Sequence, residues 1–384
     1  MAVEKINIDQ FLGLAKNHLV IDVRSPGEYQ HAHIPGAYSL PLFTDEERAA
    51  VGTAYKQESR EKAIRIGLDF FGPKMKKMVE EVEGIDEVRS ITYRPAASEE
   101  LKLHTSKIVL IYCWRGGMRS SAVAWLLDLY GLKVFTLIGG YKKFRNYVLE
   151  TFKQPFNFKI LGGYTGSGKT ETLKELEREG EKIVDLEGLA NHKGSAFGNI
   201  GLPQQPTQEM FENLLSCELQ QKLMVKGQWP FYNSESPHSL FTINHSAIWL
   251  EDESQRIGLI NIPNELWNTM RNSPLYFLEI PFEERLNHLV DEYGTLEKEK
   301  MIDAIGRIKE RLGGLEAKNA ILHLESNEFR AGFHILLKYY DKWYTKGLHN
   351  RKSLNSLLRI IDCESVTALN AKKLIQQPVY HEKS

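Results

Sequence analysis

The chain has 384 residues, more than one ordinary domain holds, so we predict two domains. An apolar content of 42% and a charged content of 26% are typical of a globular protein with a large core, and a net charge of −1 gives no bulk sign of nucleic-acid binding. Three distant cysteines (Cys113, Cys217 and Cys363) exclude a disulfide framework and lack metal-ligand spacing. With no signal-like N-terminus and no apolar run of about 18 residues, we expect a cytoplasmic protein without membrane attachment.

The N-terminal part alternates strand-like and helix-like segments. Residues 18–24 are predicted to form a buried strand, which ends in Asp22 and Arg24, interpreted as a structural ion pair. A second short strand is predicted at residues 39–42, and later strands at 108–112 and 134–138. This alternation predicts an α/β fold with a parallel sheet.

The loop from Cys113 to Ser120 lies between an apolar strand and a helical pattern, which places Cys113 at the carboxyl end of a buried strand. Two glycines let the backbone curl behind the sulfur, and the following helix start directs free N–H groups into the turn. Together with two arginines, these features favour thiolate over thiol, so we predict a reactive cysteine rather than a structural one. The candidate anion loop comprises Trp114, Arg115, Gly116, Gly117, Met118 and Arg119.

These motifs resemble those of the rhodanese-like domain. The shared features are the Asp-Val-Arg strand, the Glu28-Tyr29 pair, an Ile-Pro-Gly-Ala turn, the Cys-to-Arg-Ser loop and a final Gly-Gly-Tyr141; Ala32 stands where a common form of the turn has Gly. The resemblance implies that Cys113 carries sulfur or selenium as a persulfide or perselenide. A helical insertion is predicted at about 44–107, where basic residues lie among aromatic ones. That pattern suits RNA contact, although a solvated helix surface explains it as well.

A second motif follows a junction at residues 151–156. A strand at 158–161 leads into a glycine-rich loop and then a helix, the context of a phosphate-binding loop (P-loop). Its backbone N–H groups can cradle phosphate oxygens, Lys169 can reach the terminal phosphates, and Thr170 can contact Mg²⁺. The predicted diphosphate-binding residues are Gly163, Gly166, Ser167, Gly168, Lys169 and Thr170.

Two later strands end in carboxylates, which makes Asp185 and Asp252 candidate acidic partners that orient Mg²⁺ or water; no metal ligand is assigned more firmly. His192, Lys193 and Arg256 are candidates for the phosphate mouth, with an ordinary surface role equally consistent. Residues 225–245 are predicted to form a long loop, and amphipathic patterns from residue 283 onward predict helices.

We therefore predict an N-terminal rhodanese-like parallel-sheet domain (1–150), then a P-loop NTPase-like α/β domain (156–290) and a helical C-terminal region (291–384). The combination resembles the tRNA 2-selenouridine synthase family, supported by residues 51–74, 185–198, 205–208 and 251–258.

The resemblance implies conversion of wobble 2-thiouridine to 2-selenouridine, through S-geranylation with geranyl diphosphate and then selenium transfer from selenophosphate. It implies that Cys113 acts as nucleophile or selenium carrier and that Lys169 stabilises diphosphate. The implied partners are the tRNA anticodon region and the selenophosphate-producing enzyme, and no tightly bound cofactor is expected. Two alternatives stay open: a rhodanese-type sulfurtransferase fused to an ATP-dependent kinase or ATPase, and a non-catalytic binding module.

Overall fold

The computed structural model describes residues 3–92, 108–223 and 247–376. The chain divides into two units, with a boundary between Glu150 and Thr151. The loop predicted at 225–245 lies outside the described residues. Within the described ranges, no helix is long and apolar enough to cross a membrane.

The first unit is built on a five-stranded, all-parallel sheet with the strand order β1-β5-β4-β2-β3. The strands are β1 (Glu4–Ile6), β2 (Leu19–Asp22), β3 (Tyr38–Ser39), β4 (Ile108–Tyr112) and β5 (Lys133–Leu137). All of β2 and most of β4 are buried, as expected for apolar strands of a parallel sheet covered on both faces. The predicted parallel sheet is confirmed, although β3 is shorter than the strand predicted at 39–42.

In the described part of this unit the helices are α1 (Ile8–Ala15), α2 (Pro26–His31), α3 (Asp45–Gln57), α4 (Arg60–Phe71), α5 (Met75–Thr92), α6 (Met118–Leu129) and α7 (Gly140–Thr151). Helices α3 to α5, joined by a short 3₁₀ turn at Gly72–Lys74, form the described part of the insertion. Thr44 and Glu47 close a capping box at the start of α3, which explains why the helix begins there. Phe71, Met78 and Val82 are buried in the same core as the strands, so the insertion belongs to this unit's core.

Asp22 and Arg24 form the structural ion pair expected at the end of β2. The Arg24 Nη2 atom lies 2.6 Å from the Asp22 Oδ2 atom, and the two side chains are 1% and 0% exposed. Arg24 also donates to the Ala32 carbonyl, and its guanidinium lies 3.9 Å from the centre of the Tyr141 ring. The motif residues of this unit therefore hold one another in place through buried contacts.

The second unit contains another five-stranded parallel sheet, with the order β12-β11-β6-β8-β7. Its strands are β6 (Phe158–Gly163), β7 (Lys182–Val184), β8 (Ile248–Glu251), β11 (Leu275–Glu279) and β12 (Leu358–Asp362), and β9 (Arg256–Ile257) pairs with β10 (Ile260–Asn261) in a separate hairpin. The accompanying helices are α8 (Lys169–Arg178), α9 (Leu186–Ala190), α10 (Gln208–Leu223), α11 (Asn264–Arg271) and α12 (Phe282–Tyr293). The carboxyl ends of β6, β7 and β8 meet at one edge of this sheet, where α/β proteins bind ligands.

The C-terminal region is helical as predicted through α13 (Lys298–Leu312), α14 (Gly314–Glu325) and α15 (Phe329–His349). After the short α16 (Leu354–Leu357), however, the chain enters β12, which lies parallel to β11, and then ends in α17 (Asn370–Ile375). The region predicted as helical therefore also supplies an edge strand to the P-loop sheet. Its short Leu-Arg-Ile-Ile-Asp run, with Ile361 buried, is too brief to distinguish from a helical segment by periodicity.

Candidate functional site

Cys113 lies directly after β4, in the loop that leads to α6, whose first residue is Met118. Its Sγ atom accepts a hydrogen bond from the Gly117 N–H at 3.3 Å and lies 3.3 Å from the Ser120 hydroxyl oxygen. The side chain is only 3% exposed. The sulfur is therefore held at a helix N-terminus, where backbone N–H groups stabilise negative charge.

Two glycines allow this loop to pack tightly on the turn between β5 and α7. Gly116 and Gly140 both have positive φ, at +65° and +58°. A Cβ added at Gly116 would lie 2.5 Å from the Leu137 carbonyl oxygen, and one at Gly140 would lie 2.2 Å from that of Cys113. The Tyr141 N–H donates to the same Cys113 carbonyl at 2.8 Å. The Gly-Gly-Tyr motif thus fixes the backbone behind the cysteine.

The two arginines of the loop differ in their surroundings. Arg119 donates to Glu28 at 2.6 Å, and Arg48 contacts the same carboxylate at 2.9 Å. Although burial opposes the shift, the hydrogen bond and charge of Arg119 lower the pKa of Glu28. Arg119 is therefore engaged in an ion pair, whereas Arg115 is exposed at the loop surface. The role of the loop residues 114–119 in anion binding stays a prediction.

The P-loop follows β6 as predicted and ends at the first turn of α8. Gly166 and Gly168 have φ values of +78° and +68°, and a Cβ added at Gly166 would lie 2.9 Å from the Arg285 carbonyl oxygen. The Lys169 Nζ atom donates to the Gly163 carbonyl at 3.4 Å. The Thr170 hydroxyl donates to Glu187 at 3.3 Å.

Arg285, on α12, braces this loop, and sequence reasoning missed it. Its guanidinium donates to the Thr165 carbonyl at 3.1 Å and to both carboxylate oxygens of Asp341 at 2.8 and 2.7 Å. It also lies 4.9 Å from the centre of the Tyr164 ring. Nothing in the local sequence distinguishes Arg285 from a surface arginine of an amphipathic helix, since its contacts come from distant segments.

The predicted acidic partners, Asp185 and Asp252, line one cavity together with Lys169 and Thr170. Asp185 caps α9 by accepting from the Gly188 N–H at 2.6 Å. Asp252 accepts from Arg351 at 2.7 Å and from the Tyr344 hydroxyl at 2.8 Å, one bond to each oxygen. Both carboxylates thus make structural contacts, and their part in orienting Mg²⁺ or water stays a prediction.

Three glutamates near Lys169 were not singled out from the sequence. Burial raises the pKa of Glu187, against the opposing charge of Lys169. Burial, followed by repulsion from neighbouring carboxylates, raises the pKa of Glu251 and of Glu253 well above the ordinary range. The signal available was position, because Glu251 is the last residue of the apolar β8 run.

Of the three basic residues proposed for the phosphate mouth, Lys193 lines the cavity, where it is paired with Glu292. His192 is buried, and burial lowers the pKa of its ring. Arg256 is exposed and donates to the Gly258 carbonyl within the β9–β10 hairpin.

The cavity of the second unit has a volume of about 740 Å³. Its lining includes the P-loop and the carboxylates, and also aromatic and apolar side chains of α12 and α15: Leu289, Tyr293, Tyr339, Tyr340, Trp343, Tyr344 and Leu348. Among the described residues, no group of three or more His, Cys, Asp or Glu side chains is placed to hold a metal ion.

Comparison with known proteins gives matches to both units. Residues 8–147 match the model of the rhodanese-like domain, and residues 156–369 match that of the tRNA 2-selenouridine synthase AAA domain. A protein of Sulfurovum sp. named tRNA 2-selenouridine synthase is 34% identical over 360 residues, covering 85% of this chain and 88% of the relative.

Relatives of the same name from Hydrogenovibrio crunogenus and Bdellovibrio bacteriovorus are 35% and 30% identical. Those matches cover 86% and 91% of this chain, and 89% and 94% of the relatives. The likeness thus extends across both units, and the chain belongs to the tRNA 2-selenouridine synthase family.

Proposed function

We propose that this protein is a transferase that converts wobble 2-thiouridine of tRNA to 2-selenouridine in two steps. The observation that carries the proposal is the match to relatives of that name over most of the chain, with the cysteine loop and the P-loop both formed. Each loop joins a parallel strand to a helix N-terminus, an arrangement suited to a phosphate-containing substrate.

In the first step, the sulfur of 2-thiouridine attacks C1 of geranyl diphosphate. A carbon–sulfur bond forms, the carbon–oxygen bond breaks, and diphosphate leaves. Lys169 and the N-terminus of α8 would stabilise the charge that develops on the departing diphosphate. A P-loop suits this reaction because its N–H groups recognise phosphate oxygens whether or not a nucleoside is attached.

In the second step, selenium from selenophosphate replaces the S-geranyl group at C2 of the base; the geranyl group leaves as a thiolate, and water releases the phosphate. The loop around Cys113 would hold the selenophosphate anion. The Cys113 thiolate is the candidate nucleophile: it would attack C2 and expel the geranyl thiolate, and the selenium would then displace the cysteine from C2. Its contacts with the Gly117 N–H and the Ser120 hydroxyl support this role.

Mg²⁺ is a candidate ligand of the diphosphate site. The Thr170 hydroxyl and a Glu187 carboxylate oxygen lie 3.3 Å apart, and both are the hard oxygen donors that Mg²⁺ prefers. These two residues would hold the ion, which would neutralise part of the charge on diphosphate.

The macromolecular substrate is tRNA, contacted at its anticodon region, where single-stranded bases can be extruded. The candidate surfaces are the helical insertion, where Tyr55 is exposed, and residues 331–384, where nine Lys and Arg outnumber four Asp and Glu. The selenophosphate-producing enzyme is a further candidate partner, and the cytoplasm is the compartment in which tRNA substrates are found.

The test is mass analysis of nucleosides after incubating the protein with thiolated tRNA, geranyl diphosphate and selenophosphate, with each omitted in turn. We expect Cys113→Ser to accumulate S-geranylated nucleoside without selenation, and Lys169→Ala to leave 2-thiouridine unchanged. Full selenation by Cys113→Ser would remove Cys113 from the mechanism. Rapid ATP turnover at a rate that does not depend on tRNA would instead favour a sulfurtransferase fused to a kinase or ATPase.

A further inference from the structure

The aromatic residues that line the cavity come mainly from the last three turns of α15. Tyr339, Tyr340, Trp343, Tyr344, Gly347 and Leu348 all line the cavity. They form three adjacent pairs that recur every four residues, which places them on one face of the helix, and we call this face the α15 wall. Trp343 is 44% exposed beside the cavity, an unusual position for the largest apolar side chain.

The wall presents aromatic rings because its inner hydroxyl groups are already engaged. The Tyr344 hydroxyl donates to Asp252 at 2.8 Å, and the Tyr340 hydroxyl oxygen accepts from the Ala196 N–H at 3.1 Å. Burial raises the pKa of Tyr340 to about 12, so this phenol is neutral at physiological pH. These two residues therefore present mainly their rings to a ligand, in a cavity that polar side chains such as Arg271 and Arg311 also line.

The wall is continuous with the P-loop. The Tyr344 hydroxyl accepts from the Gly163 N–H at 3.3 Å, at the end of β6. The Lys169 Nζ atom lies 6.0 Å from the centre of the Tyr344 ring, and the Tyr164 ring lies 5.7 Å from it. A diphosphate bound at Lys169 would therefore direct its organic group onto this wall.

Gly347 leaves room for such a group. It lies in the last turn of the 21-residue helix α15, and an added Cβ would meet nothing within 4 Å. Its carbonyl oxygen accepts from Arg271 at 3.1 Å, so its backbone is held in place. The missing side chain keeps the cavity open beside Trp343 and Leu348.

We propose that the α15 wall binds the isoprenoid chain of the diphosphate ester held by the P-loop, and that Trp343 and Gly347 determine which chain length is accepted. This inference rests on the proposed use of geranyl diphosphate and assigns the residues that recognise its apolar part. The P-loop recognises the diphosphate in any ester, so the selectivity for an isoprenoid comes from the wall.

The test is calorimetric binding of geranyl diphosphate, dimethylallyl diphosphate and inorganic diphosphate to the full-length protein. For the parent protein we expect geranyl diphosphate to bind roughly tenfold or more tighter than the five-carbon ester, because apolar area is buried. Gly347→Leu places a side chain in the cavity and should abolish that preference, while changing inorganic diphosphate binding less than about twofold. Trp343→Ala adds no bulk to the cavity, and it should reduce the preference for geranyl diphosphate by removing apolar contact area.

Gly306→Leu is the matched control, because Gly306 is also an exposed helical glycine with nothing within 4 Å of an added Cβ. It lies on α13 and is not among the cavity-lining residues, so its binding profile should equal that of the parent. Thermal unfolding of each variant checks that the fold is retained.

Three results would overturn the inference in distinguishable ways. An intact preference for geranyl diphosphate in both Gly347→Leu and Trp343→Ala would place the chain elsewhere and leave the proposed function standing. If the parent protein binds geranyl diphosphate no tighter than inorganic diphosphate, both the proposed function and isoprenoid binding by the α15 wall are contradicted. Tight ATP binding that Gly347→Leu removes would assign the wall to a purine.

Discussion

Glu251 is a buried residue near the P-loop whose protonation should make the stability of the protein depend on pH. It ends β8 with a fully buried side chain, and its Oε2 atom accepts from the Leu186 N–H at 3.1 Å. Its Oε1 atom has no hydrogen-bond partner among the described residues. Burial and then three neighbouring carboxylates raise its pKa, so the folded protein holds a proton that the unfolded chain releases near pH ~4.3.

We predict that the stability of Glu251→Gln relative to the parent protein increases as the pH rises. Where the folded state binds more protons than the unfolded state, the free energy of unfolding falls with increasing pH. The amide keeps an acceptor for the Leu186 N–H and removes the titratable charge. The difference in stability between the variant and the parent should rise by about 1–3 kcal/mol from pH 5 to pH 8, as measured by urea denaturation at both pH values.

Glu279→Gln is the control for that measurement, because Glu279 also ends a strand but is exposed. Its effect should stay within about 0.5 kcal/mol at either pH. An equal gain from Glu251→Gln at both pH values would mean that Glu251 does not titrate as argued.

At the scale of elements, the P-loop depends on helices that follow it by more than a hundred residues. Arg285 of α12 joins the Thr165 carbonyl to Asp341 of α15, with the guanidinium 4% exposed in this contact. The buried guanidinium makes four hydrogen bonds to three partners, the Thr165 and Ile280 carbonyls and Asp341, and so holds the loop in one geometry.

We predict that Arg285→Ala lowers the free energy of unfolding by about 3–5 kcal/mol, since it leaves Asp341 without its charged partner. Arg285→Lys should recover only part of that loss, because one ammonium group cannot reproduce the fork of bonds. Both variants should weaken inorganic diphosphate binding, measured by calorimetry alongside denaturant unfolding. The matched control is Arg330→Ala, which breaks an exposed ion pair with Glu283 and should cost less than about 1 kcal/mol. If Arg330→Ala lowers the free energy of unfolding as much as Arg285→Ala does, Arg285 does not have this stabilising role.

The contrast between Lys169 and Arg285 explains how far sequence reasoning reached. The two glycine-rich loops could be located because glycine, a nucleophile or lysine, and a helix start occur within eight contiguous residues in each. The parallel sheets followed from apolar runs separated by helical patterns. Arg285, Tyr344 and Glu253 could not be assigned, because their roles arise only when distant elements meet. Strand β12 was missed because five residues carry too little periodicity, and because it is defined by its pairing with β11, a strand about 80 residues earlier in the chain.

At the scale of the whole molecule, one structural device occurs twice. In each unit a parallel strand ends in a glycine-rich loop and a helix begins within that loop: β4 leads to α6, and β6 leads to α8. Glycines with positive φ permit the tight backbone in both. The first loop presents a thiol and the second an ammonium group, which is consistent with the two different steps of the proposed modification.

We predict that a lesion in the buried ion pair of the first unit impairs selenation but not diphosphate binding. Arg24→Ala leaves the fully buried Asp22 unpaired and should destabilise the first unit by about 3–5 kcal/mol. The contacts it removes, to Asp22, the Ala32 carbonyl and the Tyr141 ring, all lie within that unit. Nucleoside analysis should show reduced selenation, while calorimetry should give an unchanged affinity for inorganic diphosphate.

The double variant Arg24→Met, Asp22→Leu separates charge from packing. Replacing both partners removes the unpaired carboxylate, so the first unit should regain much of its stability, since a buried ion pair adds little over apolar residues of similar size. Selenation should recover with that stability, because neither side chain contacts the Cys113 sulfur in the hydrogen bonds that hold it. A diphosphate affinity that falls in step with the stability of Arg24→Ala would instead mean that the two anion sites depend on a common folding unit.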